Sequence, residues 1–235
     1  MKFLRTKRQS VVDKMPNLGE SVSDAHSTYG MSASIRDSSM GAALQAAAQL
    51  KVLLGKDKRI VAVADMVLND GSTKLAAKLG TAMAKLENDP VLVMDGNFQS
   101  PGIHKEFNVP REPGMSDIIE GNQELGKAVH VVNDDGLSVV SIGTVHENCV
   151  SLLSSSNTES TFGTLRNRFR YILIDVGPLL SSPESMLLAS ASDGLIAALA
   201  CGIRRRHEVL KFQKQMEIMK IPLLGILLTK GTKGK

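Results

Sequence analysis

Short, almost wholly apolar segments alternate with amphipathic segments along this chain, and the alternation limits the folds that it can adopt. The apolar segments have the length and composition of strands in a parallel sheet that helices cover on both faces. They lie at residues 59–64, 91–94, 137–142, 171–174, 195–200 and 222–228. Helix-like segments lie at residues 40–54, 72–86, 114–120, 158–169, 182–192 and 204–219. The pattern predicts an α/β fold with a parallel sheet flanked by helices on both faces and right-handed crossovers.

Two of the predicted strands end on a carboxylate. Asp95 follows the strand at 91–94, and Asp175 follows the strand at 171–174. Because α/β proteins bind their ligands at the carboxyl edge of the sheet, we expect both side chains at one site. In P-loop NTPases such residues hold magnesium and order the attacking group, which assigns catalysis to Asp95 and Asp175 and magnesium to Asp175. In the alternative interpretation, Asp95 only caps the turn after its strand.

The segment after the first strand has the outline of a phosphate-binding loop. A functional loop has the form GxxxxGK[ST], in which the backbone N–H groups and the lysine contact the phosphates. This chain reads ADMVLNDGSTKLAAKLG at residues 64–80. Gly71 fits the loop glycine and Thr73 fits the hydroxyl that binds magnesium, but Ser72 stands where the lysine is expected. The loop is therefore predicted to be a degenerate Walker A sequence.

Two residues beside this loop bear on phosphate binding. Lys74 follows by one or two positions, and because helical residues turn by about 100° each, we expect it to point away from a phosphate. Asp70 places an anion next to the expected phosphate position. The N–H groups at the start of the following helix still favour anions, which predicts weak nucleotide binding. The alternative is a loop that has only a structural role.

Length and composition favour one large domain preceded by a polar arm. The chain has 235 residues, enough for one substantial core. Residues 1–38 are polar and serine-rich with a basic start, which predicts a flexible arm, and residues 39–235 then form the P-loop NTPase-like domain. A net charge of +4 without tryptophan does not indicate a nucleic-acid partner. No apolar run is long enough to span a membrane and the two cysteines lack metal-ligand spacing, so we expect a cytoplasmic protein.

Five segments carry the most specific pattern in the chain: VLVMDGNFQSPGIHKEF, EPGMSDIIEG, GLSVVSIG with the following LLSS, YILIDVGP and SDGLIAAL. Together they closely resemble the cytoplasmic domain of the bacterial tyrosine kinases (BY-kinases), in the MinD/ParA-like branch of P-loop proteins. The resemblance implies ATP and magnesium as ligands, with Gly71, Ser72, Thr73 and Lys74 at the nucleotide and Thr73 and Asp175 at the metal. It also implies a membrane polysaccharide copolymerase or another export-complex protein as partner, homo-oligomers, and a position peripheral to the inner membrane through that partner.

The chain departs from this family at residues that carry chemistry. The family's loop reads roughly GEGKST, whereas this chain has NDGSTK. The family's second motif reads roughly DADLRRP, and here Asn97 replaces the second acid and Gln99 the first arginine. The family's tyrosine cluster has no counterpart, because Tyr29 and Tyr171 lie far apart. Losing one electrostatic contact to a transferring phosphoryl group commonly costs on the order of 3 kcal/mol, or roughly a hundredfold in rate.

Three hypotheses follow for function. The first is a pseudokinase relative of the BY-kinases that acts in exopolysaccharide or capsule biosynthesis or export, with little or no kinase activity. The second is an active tyrosine kinase or ATPase in which Lys74, or a lysine from a neighbouring subunit, replaces the missing lysine. The third is a MinD/ParA-like positioning ATPase, which predicts salt-sensitive binding to lipid or DNA.

Overall fold

The computed structural model describes residues 40–87, 89–145, 148–201 and 205–229. The predicted arm at residues 1–38 lies outside these described residues. The strands are β1 (Ile60–Asp65), β2 (Val91–Asp95), β3 (Val129–Val131), β4 (Leu137–Val140), β5 (Tyr171–Pro178), β6 (Gly194–Ala200) and β7 (Leu223–Thr229). The helices are α1 (Met40–Leu54), α2 (Ser72–Glu87), α3 (Ile103–Phe107), α4 (Met115–Glu120), α5 (Leu125–Ala128), α6 (Cys149–Leu153), α7 (Ser156–Arg168), α8 (Pro183–Ser190) and α9 (Arg206–Ile218).

The seven strands form one sheet in the order β3-β4-β2-β5-β1-β6-β7. All neighbouring pairs are parallel except β3 and β4, which are antiparallel. The predicted α/β class with a mainly parallel sheet is therefore confirmed, and β3 adds an antiparallel edge that the sequence did not reveal. Only three residues form this strand, and its alternation is too short to stand out from a loop.

Successive residues of the central strands point to opposite faces of the sheet, and each face has its own apolar core. One core packs α4, α7, α8 and α9 against the sheet through large side chains such as Met115, Phe162 and Phe212. The other packs α1 and α2 against the opposite face through residues such as Leu50 and Leu79. The predicted cover of helices on both faces is confirmed. Across the described segments, every helix is too short or too polar to traverse a lipid bilayer.

The helix boundaries differ from the prediction mainly where elements are short. The helix at 40–54 has the predicted limits, and α2 extends the predicted 72–86 by one residue. The predicted helix near 158–169 begins earlier, as α7, and a separate short helix, α6, precedes it. The residues between α6 and α7 break the helix where Ser154 and Ser155 bond back to α6 through their hydroxyls.

The topology brings three strand ends into one place. Strand β5 lies between β2 and β1, and all three run parallel, so their carboxyl ends meet at one edge of the sheet. Asp95 of β2 is directly opposite Asp175 of β5 in the register. The start of α2 follows the end of β1 after a loop of six residues, 66–71. This edge is therefore where the predicted site residues come together.

Candidate functional site

The loop between β1 and α2 is shaped by Gly71, whose φ of +94° is a conformation that favours glycine. A Cβ at this position would also lie 3.5 Å from the hydroxyl oxygen of Thr229, at the end of β7. The next residue, Ser72, begins α2. The loop therefore leads directly into a helix that begins at Ser72, as the sequence predicted.

Asp175 lies at the centre of the site and is fully buried. Its carboxylate accepts hydrogen bonds from the hydroxyl groups of Ser72, at 2.7 Å, and Thr73, at 2.5 Å. It also accepts a longer one from the Gly177 N–H, at 3.3 Å. Burial, with a further contribution from the charge of Asp95, raises the pKa of Asp175 to about 7. The predicted site residues Ser72, Thr73 and Asp175 are thus joined directly.

Asp95 is equally buried, but its carboxylate faces the backbone of the following segment. One oxygen accepts the N–H of Asn97, at 3.2 Å, and the other accepts those of Gly102 and Ile103, at 2.9 and 3.0 Å. Burial raises its pKa to about 6, although these hydrogen bonds act in the opposite direction. The geometry is that of a cap on the segment after β2, which was the alternative interpretation of this residue. A catalytic role for Asp95 stays a prediction.

A third aspartate, Asp65, belongs to the site although the sequence analysis did not select it. It ends β1 and is 6% exposed, and its carboxylate accepts the N–H of Ser72 at 2.6 Å. Burial raises the pKa of Asp65 to about 6, and the charges of Asp175 and Asp70 contribute in the same direction. The signal was present in the sequence, because Asp65 ends an apolar run as Asp95 and Asp175 do. The prediction that Asp175 follows the end of its strand was wrong, because β5 continues to Pro178.

A cavity of about 540 Å³ opens beside these residues. Its walls include Asp65, Gly71, the first two residues of α2, Ser72 and Thr73, and Asn97. Three lysines also line it: Lys74, Lys78 and Lys105. Lys74 is therefore part of the wall, although the rotation of the helix led us to expect it to point away. Lys78 and Lys105 were missed, because nothing in the sequence places α3 beside α2.

Two groups beside the cavity suit a magnesium ion. Magnesium prefers hard oxygen ligands, and the Thr73 hydroxyl and the Asp175 carboxylate are of that kind. In this structure they are hydrogen-bonded to each other, so an ion between them would replace that hydrogen bond. Within the described segments, no group of three or more histidine, cysteine or acidic side chains is arranged to hold a metal by itself. A metal here would need further oxygen ligands from a bound phosphate or water.

The chain is similar in sequence to several known proteins. No protein-family model matches it. It is 28% identical to the tyrosine-protein kinase CpsD of Streptococcus agalactiae over 184 residues, which is 75% of this chain and 77% of CpsD. It is 22% identical to the tyrosine-protein kinase YwqD of Bacillus subtilis over 159 residues, 68% of this chain and 67% of YwqD.

Its homologues are bacterial tyrosine-protein kinases.

Solved structures show the same fold. The kinase domain of VpsO superposes with a TM-score of 0.76 at 24% identity, covering 83% of this chain and 96% of that domain. A cobyrinic acid a,c-diamide synthase from Mycobacterium smegmatis, solved with a bound ATP analogue and magnesium, has a TM-score of 0.56 at 18% identity over 73% of this chain and 72% of that protein. A putative plasmid partition protein of Borrelia burgdorferi, bound to AMPPNP, has a TM-score of 0.58 at 20% identity over 77% of this chain and 79% of that protein. The chain thus has the fold of bacterial tyrosine kinase domains and of more distant nucleotide-binding proteins.

Proposed function

We propose that this protein is a bacterial-tyrosine-kinase-like component of exopolysaccharide or capsule biosynthesis or export, with a degenerate nucleotide site and little or no kinase activity. The homologues and the fold support the kinase relationship. The observation that supports the proposed loss of activity is the hydrogen bonding of Ser72. Its N–H donates to Asp65 and its hydroxyl donates to Asp175, at the position where the family has a phosphate-binding lysine.

The missing lysine matters because phosphoryl transfer depends on placing positive charge around the transferring group. A serine hydroxyl has no charge, and this one is already engaged with a carboxylate. Of the two carboxylates that bond to Ser72, Asp175 would be neutralised by a magnesium ion, whereas the buried Asp65 adds negative charge beside the start of α2. A triphosphate would therefore meet repulsion where an active enzyme offers attraction, and we expect slow or absent transfer.

The other site residues retain positions that fit a nucleotide and magnesium. Thr73 and Asp175 would hold the ion, which would neutralise phosphate charge when bound. Gly71, with its positive φ, would let the backbone approach a ligand closely, and α2 begins at the next residue. Lys74 lies in the wall of the cavity. This arrangement supports weak binding of Mg-ATP rather than turnover.

We propose a membrane polysaccharide copolymerase or another export-complex protein as the partner. This part of the proposal rests on the relationship to the tyrosine kinases, and so do the homo-oligomer and the position at the inner membrane through the partner. Co-purification of the tagged protein with the copolymerase encoded in the same organism would test it. Recovery of the protein without such a partner, from membranes solubilised in mild detergent, would contradict it.

The kinase proposal is tested by calorimetry and by transfer of labelled phosphate. We expect the wild type to bind Mg-ATP weakly or not at all, and to transfer no phosphate to a tyrosine-containing protein above background. Asp175→Ala should abolish the residual binding, because it removes the group that would hold magnesium. Micromolar affinity together with measurable transfer by the wild type would contradict the proposal.

A second candidate is an active kinase in which another lysine replaces the missing one. The observation in its favour is that Lys74, Lys78 and Lys105 line the cavity. It predicts phosphate transfer that is lost in Lys74→Ala. Lys85→Ala is a matched control, because Lys85 is an exposed lysine in the last turn of the same helix and is not part of the cavity wall. Absence of transfer at any protein concentration would remove this candidate.

A further inference from the structure

The loop that surrounds the start of α2 carries two carboxylates and no cation. Residues 65–71 read DMVLNDG, so Asp65 and Asp70 are its charged groups. Both are buried, at 6% and 1% exposed. A buried carboxylate requires hydrogen-bond donors or positive charge for its stabilisation. Backbone N–H groups in and beside this loop are among the donors that these two carboxylates use.

The hydrogen bonds show which donors these carboxylates use. Asp65 accepts the N–H of Ser72, the first residue of a 16-residue helix, at 2.6 Å. Asp70 accepts the N–H of Val67 at 2.9 Å. N–H groups in a loop of this kind, and at the N-terminus of a helix, are the ones that bind phosphate in nucleotide-binding proteins. A carboxylate of the protein thus holds a donor that an oxyanion ligand would need.

We propose that Asp65 is an internal anion that competes with a tetrahedral oxyanion, such as a nucleotide phosphate, for the start of α2. This inference rests on the proposed nucleotide site and adds a second cause of weak binding to the missing lysine. An entering phosphate must displace the Asp65 carboxylate from the Ser72 N–H, and the two negative charges repel each other at short range in a poorly solvated space. The lysines of the cavity wall attract the anion, and Asp65 opposes its final approach.

The direction of the Asp65 titration agrees with this geometry. Burial raises its pKa to about 6, so the hydrogen bond from Ser72 does not fully compensate the charge. Removing the charge should therefore leave the unliganded protein folded and no less stable at pH 8. Two substitutions separate the repulsion by the Asp65 charge from the occupation of the Ser72 N–H. Asp65→Asn removes the charge and keeps an oxygen that can accept the Ser72 N–H, whereas Asp65→Ala removes both.

The test measures sulfate binding through the amide chemical shifts of Gly71, Ser72 and Thr73, and Mg-ATP binding by calorimetry. We expect Asp65→Ala to bind both probes most tightly, Asp65→Asn less tightly and the wild type least tightly. The dissociation constants of Asp65→Ala and the wild type should differ by about tenfold or more, or roughly 1.4 kcal/mol. Glu106→Gln is the matched control. It removes one negative charge from the exposed rim of the same cavity, without a contact to the Ser72 N–H.

The comparison with the control decides the outcome. The inference stands if both Asp65 variants bind more tightly than Glu106→Gln by more than about threefold, a difference of roughly 0.65 kcal/mol. It is overturned if an Asp65 variant that unfolds cooperatively binds less than about threefold more tightly than Glu106→Gln. It is also overturned if neither Asp65 variant shows a cooperative thermal unfolding transition. Transfer of labelled phosphate by the wild type would contradict the proposed function instead, because the role of Asp65 depends only on the ratio between variants.

Discussion

Three buried aspartates lie at or near the carboxyl ends of neighbouring strands, and their hydrogen-bond partners distinguish them. Asp95 receives three backbone N–H groups, which makes it part of the framework of the loop after β2. Asp175 receives two side-chain hydroxyls, which are donors that a metal or a ligand can replace. Asp65 receives the N–H at the start of α2. Residues of one type at equivalent strand ends are therefore expected to differ in role because of what donates to them.

Burial of Asp175 makes the stability of the metal-free protein depend on pH. Its folded pKa, raised to about 7, lies above the ordinary value of 3.8, so the folded state holds the proton more tightly than the unfolded state. That contribution is fully present below about pH 4 and is lost as the pH rises through about 7. We expect the free energy of unfolding to fall between pH 5 and 8, by on the order of a few kcal/mol.

Denaturant unfolding in the presence of a chelator, at pH 5 to 8, measures this dependence. In Asp175→Asn the decline should be clearly smaller, because the amide does not titrate. The amide oxygen can still accept the Ser72 hydroxyl, and the amide N–H can donate to Thr73. Parallel curves for wild type and variant would show that Asp175 is not the group responsible.

The helices of this fold use glycine for different purposes. Gly80 lies in α2 where that helix packs on β2, and a Cβ built there would lie 2.1 Å from a methyl carbon of Val93. Gly163 lies in α7, is exposed, and has open space around the same position. Both residues are glycines inside helices, so helix propensity alone predicts the same effect of substitution at each position. The contact with β2 is what makes the first one necessary.

Substitution of these two glycines by alanine should therefore have opposite effects. Gly80→Ala should lower the free energy of unfolding by roughly 1–3 kcal/mol, because the core between α2 and β2 has no room for a methyl group. Gly163→Ala should raise it by up to about 1 kcal/mol, because alanine is the better helix former. Urea unfolding of both variants measures the difference. Equal effects of the same sign would contradict the packing between α2 and β2.

At the scale of the whole molecule, one aspartate connects three elements at the edge of the sheet opposite to the site. Asp193 lies just before β6 and accepts the N–H groups of Arg59 and Ile60, at 2.7 and 2.8 Å, where β1 begins. It also accepts both terminal nitrogens of Arg166 in α7, at 2.8 and 3.0 Å. Burial acts to raise the pKa of Asp193, but these hydrogen bonds together hold it below its usual range.

Removal of this connection should destabilise the entire domain. We expect Asp193→Ala to cost about 2–3 kcal/mol, because it leaves two backbone N–H groups and a guanidinium without their acceptor. Arg166→Ala is the comparison, and it should cost less, because the bonds to Arg59 and Ile60 remain. Thermal unfolding followed by circular dichroism provides both values. A loss in Asp193→Ala no larger than in Arg166→Ala would contradict this role.

The long elements and the class of the fold could be predicted because they repeat over many residues. The limits of α1, most of α2 and the presence of the six longer strands follow from apolar periodicity. The end of β5 does not, because this strand continues to Pro178 beyond its apolar run. The short helices α3, α5 and α6 and the strand β3 span three to five residues each. They were missed or misplaced, because such segments are too short to show a period and are held by contacts with the rest of the fold.

The candidate site, like the fold, could be predicted from the sequence only in part. The sequence by itself determined that Gly71, Ser72 and Thr73 stand between β1 and α2 in a segment without the family's lysine, and that Asp95 and Asp175 each follow an apolar run, because spacing along the chain is enough to show this. Only the tertiary structure decided which donors each carboxylate receives, that Asp65 occupies the start of α2, and that lysines of α2 and α3 share one cavity wall. The reason is physical: charges and hydrogen bonds act through space, over a few ångströms, between residues that the sheet order brings together from distant parts of the chain.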